Sequence, residues 1–185
     1  GRHQGIIAVI DDYEYVDYRD MLNDNVVVML DHLEDPHNFG AIIRTCECAG
    51  VDYIIIPKNR SVSVNSTVYK TSSGALSNVK IVEFDENSTI QAGEFNLSFF
   101  RVTHSIPDSF GIAVKTRLGY IVNTGDFKFD FTPLGPKSEY HKMTKLGHEG
   151  VLCLLSESTN ADIPQFSPSE RKISETFKQL FNRIE

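Results

Sequence analysis

Tryptophan is absent from this 185-residue chain and cysteine occurs three times. Cys46, Cys48 and Cys153 give neither the even count of a disulfide framework nor the paired spacing of a zinc knuckle. Cys46 and Cys48, two apart on a helix, point to different faces, so all three are expected to be small buried hydrophobes in a reducing compartment. No apolar run approaches the roughly 20 residues that span a bilayer, and no signal-peptide pattern is present, so a cytoplasmic protein without a membrane partner is expected. A basic excess is also missing. The net charge is −7, and neither residues 1–83 nor residues 84–185 carry more Lys and Arg than Asp and Glu. Electrostatic capture of nucleic acid would therefore need a local patch or a partner. With 41% hydrophobic and 10% aromatic residues, the composition is that of a folded globular protein.

The first half alternates buried-strand and helix patterns. Val26–Leu30 is a continuous apolar, β-branched run, as in a strand buried on both faces of a parallel sheet. A polar loop from His32 to His37 leads to Asn38, a suitable N-cap for a helix through Ala49 that Gly50 would close. Tyr53–Ile56 reads as a second strand stopped by Pro57. A shorter helix over Ser66–Ser73 ends near Gly74, and Val79–Val82 reads as a third strand. Strand, helix, strand, helix, strand with short connections predicts a parallel βαβαβ unit. Ligands bind such sheets outside the carboxyl ends of the strands, where Asn38 and Arg44 fall.

The run Asp35-Pro36-His37-Asn38-Phe39-Gly40-Ala41-Ile42-Ile43-Arg44-Thr45 resembles the opening motif of the SpoU-type (SPOUT) RNA 2′-O-ribose methyltransferases. The likeness begins at His3-Gln4-Gly5. It continues through Pro57-Lys58-Asn59-Arg60-Ser61 and Asn65-Ser66-Thr67, and it ends at Ser73-Gly74-Ala75, covering about residues 3–83. It implies that Arg44 approaches the target ribose or phosphate as a permanently charged bidentate donor, and that Asn38 orders the same loop. The family's second and third motifs form the trefoil knot and most of the S-adenosylmethionine pocket. They should follow the third strand, and nothing resembling them does.

In the second half, Glu94–Val102 reads as a strand and Gly111–Thr116 with Gly119–Val122 as a hairpin around Arg117-Leu118. Val151–Leu155 reads as another buried strand. Ser167-Pro168-Ser169-Glu170 has the form of a capping box with Pro at the first helical position. Ile173, Phe177, Leu180, Phe181 and Ile184 mark the buried face of the helix that follows. His104 and Asp126 each come just after a predicted strand.

Thr103-His104-Ser105-Ile106-Pro107-Asp108 and Asn123-Thr124-Gly125-Asp126-Phe127-Lys128-Phe129-Asp130 resemble the third and fourth metal-binding motifs of ribonuclease J, a metallo-β-lactamase-fold nuclease. This likeness spans about residues 81–185 and includes Ser156-Glu157-Ser158-Thr159-Asn160 and Pro168-Ser169-Glu170-Arg171. It implies that His104 is a zinc ligand and that Asp126 bridges two zincs. Glu157 would be the acidic residue that opens the β-CASP insertion and supports a metal-binding His, with Ser156, Ser158 and Thr159 near RNA phosphates. That family takes most of its zinc ligands from an upstream His-x-His-x-Asp-His run. The other histidines here, His3, His32, His37, His141 and His148, show no such spacing.

The expected fold class is α/β: a parallel βαβαβ segment over residues 1–83, joined within Val79–Phe84 to a metallo-β-lactamase-like segment with mixed strands over 84–185. A mixed, mainly parallel set of six to eight strands is expected, with sharing of one sheet left open. Three functional readings follow. The first is a composite of two RNA-processing fragments without catalysis and with no bound cofactor expected. The second is a methyltransferase or zinc ribonuclease completed by a partner chain, for instance in a homodimer. The third is a non-catalytic RNA-binding module using Arg44, Lys58 and Arg60 as phosphate contacts.

Overall fold

The computed structural model describes residues 5, 9, 11–21, 26–31, 33–59 and 61–183. His3, Gln4, His32, Arg60 and Ile184 lie outside the described residues. The chain divides into two compact units, the first built mainly from residues up to Glu83 and the second mainly from Phe84 onward. The fold is mixed α/β, with a three-stranded and a five-stranded sheet.

The first unit is a three-stranded sheet in the order β1 (Val27–Met29), β2 (Tyr53–Pro57), β3 (Lys80–Phe84). β1 pairs in parallel with β2, Val27 opposite Tyr53. Asp52 C=O accepts from Lys80 N–H at the start of β2 and β3, and Lys58 N–H donates to Phe84 C=O at their ends, so this pair is parallel too. β2 is buried throughout, as its Ile54-Ile55-Ile56 run demands. β1 is shorter than Val26–Leu30 and only half-buried, because it stands at the edge and has a neighbour on one side only.

Between β1 and β2 runs α1 (Pro36–Cys48). Its N-cap is Asp35, not Asn38: the Asp35 carboxylate accepts from His37 N–H at 2.8 Å. Pro36 explains the shift, since it holds the preceding residue extended and is itself pre-set for the first helical position. α2 (Ser66–Thr71) is capped by Asn65, whose side chain accepts from Thr67 and Val68 N–H. The core joins Phe39, Ile43 and Cys46 of α1 to Ile54, Ile56 and Val68. Tyr13 and Tyr15 close its rim, their hydroxyls accepting from Ile81 and Val64 N–H at 3.1 and 2.9 Å.

In the second unit β4 (Thr89–Ala92), β5 (Phe95–Val102), β6 (Ser109–Thr116) and β7 (Gly119–Asn123) form an antiparallel meander. The chain then crosses through α3 (Tyr140–Glu149) and returns as β8 (Val151–Leu155), parallel to β7. Three of the four pairings in this sheet are antiparallel, so the strands are not mainly parallel as expected. Phe100, Val102, Ala113 and Val122 form the core under α3, with Met143 and Leu146 packed on it. Burial of β8 is a further correction: all five of its residues are exposed, because it is an edge strand. Exposure also corrects the cysteine expectation for Cys48 and Cys153, leaving only Cys46 buried.

The last helix, α4 (Glu170–Phe181), is capped by Ser169 rather than Ser167, its Oγ accepting from Arg171 N–H, so Pro168 precedes the cap. Its apolar residues Ile173, Phe177, Leu180 and Phe181 are exposed, contrary to the amphipathic expectation, because only the first turn of α4 is anchored. Among the described residues no helix is long and apolar enough to cross a membrane.

Gly40 sits where α1 meets α2. A Cβ there would lie 1.9 Å from Thr71 Oγ1 and 2.9 Å from Ser72 N. Ala gains about 1 kcal/mol in helix propensity, but overpacking costs about 1–3 kcal/mol. Gly40→Ala is therefore expected to lower the urea midpoint. Gly147→Ala in α3, where a Cβ meets nothing within 4 Å, is expected to raise it.

Candidate functional site

The direction of the strands decides where the second-unit residues go. β5 and β7 are each antiparallel to β6, and β8 is parallel to β7, so β5, β7 and β8 all run the same way. Their carboxyl ends open on one edge of the sheet. His104 follows β5, Asp126 follows β7 and Glu157 follows β8, so three residues distant in sequence share that edge. They line a cleft of about 550 Å³ with Lys128, Thr159 and Asn160.

Within it, His104 Nε2 lies 3.9 Å from Asp126 Oδ2. The imidazole is mostly covered, at 27% exposure, whereas the carboxylate is 76% exposed. Glu157 Oε2 accepts from Thr159 N–H at 2.8 Å. Hydrogen bonding by Thr159, first through its side chain and then its backbone, holds the Glu157 carboxyl below its ordinary value. The Phe127 N–H and the nearby His104 add to this against a smaller burial effect. Ser156 donates to Glu157 C=O and lines a neighbouring apolar cleft instead, and Ser158 C=O accepts from Ala161 N–H. Of the three hydroxyl residues only Thr159 faces the cleft with His104 and Asp126.

Among the described residues no three His, Cys, Asp or Glu side chains converge as a metal-holding group. One imidazole and one solvent-facing carboxylate, with Glu157 engaged by Thr159, do not fit a two-zinc centre, which needs about three protein ligands per metal.

In the first unit Asn38 and Arg44 both stand exposed on α1. Six residues apart, they project about 120° from each other around the helix axis. Lys58 is exposed just past β2 and groups with the second unit. The path after β3 enters the β4–β5 hairpin, where the methyltransferase resemblance would place the knot.

Asp130 is the residue of this region that the motif reading passed over. It is buried, Oδ1 accepting from Thr132 N–H and Oδ2 from Glu170 N–H, both at 2.9 Å. Burial opposes its charge, but those two N–H groups, the Ser169 hydroxyl and Lys128 outweigh it and hold the carboxyl below its ordinary value. Lys128 Nζ also pairs with Glu170 Oε1 at 2.9 Å, and Thr132 Oγ1 meets Ser169 Oγ at 2.8 Å. This network ties the root of α4 to the strand ends. No local sequence signal marks it, because its partner Glu170 lies forty residues on.

The profile of the SpoU rRNA Methylase family matches residues 25–107. Ribonuclease J 1 of Streptococcus pyogenes is 33% identical over 186 residues, covering 97% of this chain and 31% of that protein. Ribonuclease J of Mycoplasma genitalium is 45% identical over 101 residues, and ribonuclease J2 of Bacillus subtilis 48% over 102. These alignments cover 55% and 54% of this chain and 18% of each relative. An AdoMet-bound rRNA methyltransferase from Sinorhizobium meliloti is 28% identical over 38% of this chain and 28% of its own, with a TM-score of 0.35. The chain is thus similar both to SpoU methylases and to ribonuclease J, and it spans less than a third of the length of these ribonuclease J proteins.

Asp130 carries a sign-definite expectation. Because its folded pKa is lowered, its stabilisation is present above the unfolded value near 3.8 and is lost as pH falls through the folded one. Removing a buried carboxylate that accepts two N–H bonds costs about 2–4 kcal/mol. Asp130→Ala is therefore expected to lose that much in urea denaturation at pH 7, with the gap to the parent narrowing toward pH 3.

Proposed function

We propose that this chain is a composite of two RNA-processing enzyme segments that turns over neither parent reaction. The observation that carries this is the His104–Asp126 pair at the sheet edge, which no further His, Cys, Asp or Glu among the described residues joins into a metal-holding group. Two parts would fall within the 185 residues of this chain. Methyl-donor motifs are expected after β3, where the ribonuclease J-like segment begins. The zinc-binding run is expected before His104, where the SpoU-like segment lies. S-adenosylmethionine and zinc are cofactors of the two resembled families, and neither is expected to be used here.

RNA is the proposed partner, held without base reading. Arg44 and Lys58 are exposed cations suited to phosphate, and Arg60 belongs to the same proposal. On the second unit Thr159 offers a hydroxyl inside the cleft, with Ser156 and Ser158 outside it. Glu157 has a supporting role beside His104, while Asn38, inside α1, is an exposed helix residue. Completion of either site by a partner chain, as in a homodimer, is the alternative reading, and zinc stoichiometry and S-adenosylmethionine binding distinguish its two versions.

Elemental analysis of protein purified without added zinc is expected to find well under one equivalent, unchanged in His104→Ala. Incubation with labelled RNA is expected to give neither cleavage nor methyl transfer from S-adenosylmethionine. Two equivalents of zinc that disappear in His104→Ala, with RNA cleavage, would overturn the composite reading in favour of the nuclease.

A further inference from the structure

We draw no further inference here: the strongest candidate, the apolar cleft of about 410 Å³ between α3 and the five-stranded sheet, lined by Phe100, Val102, Val122, Met143 and Leu146, carries nothing because nothing in the structure shows what covers it.

Discussion

Strand direction in the five-stranded sheet is the constraint on which the second unit depends. Two antiparallel steps bring β7 back into line with β5, and one parallel step brings β8 into line with both. A parallel step cannot be made with a tight turn and requires a crossover, which Phe127–Gly150 supplies through α3. If any one of these steps changed sense, His104, Asp126 and Glu157 would no longer share an edge. The chemistry of the cleft is set by topology before any side chain is considered.

The same constraint accounts for what the cleft holds and what it does not. Each of the three strand ends delivers one residue, and three polar groups nearby are engaged in the fold: Lys128 with Glu170, Thr159 N–H with Glu157, and Asp130 with the root of α4. A carboxylate held ionised by backbone N–H groups serves structure well and metal binding poorly, because its lone pairs are already engaged. Lys128 and Glu157 line the cleft while their contacts maintain the fold around it.

Elements whose formation depends on local chemistry were legible in the sequence. The helix read over Ser66–Ser73 forms as α2, Pro57 ends β2, and the Arg117-Leu118 turn joins β6 to β7. Burial was not legible, because it depends on neighbours that a pattern does not name. Val27–Met29 and Val151–Leu155 have the composition of central strands, yet both stand at edges. The apolar stripe of α4 faces water for the same reason. Local chemistry also misled at two caps: Asn38 and Ser167 are good N-cap residues, but Asp35 caps α1 and Ser169 caps α4. His104 and Asp126 were singled out through their flanking motifs, whereas the role of Asp130 needed the long-range contact with Glu170.

The order in which the second unit can assemble follows from how its strands pair. β4 through β7 join neighbours across turns of a few residues, so the loops to be closed are short and form within microseconds. β8 instead meets β7 across about thirty residues, Tyr120 opposite Val151, and loop closure over that distance is slower and entropically harder. The meander is therefore the early product and β8 the last strand to dock. Glu157 follows β8 directly, so the cleft does not exist until that final strand is in place, and a chain stalled before it has a sheet but no site.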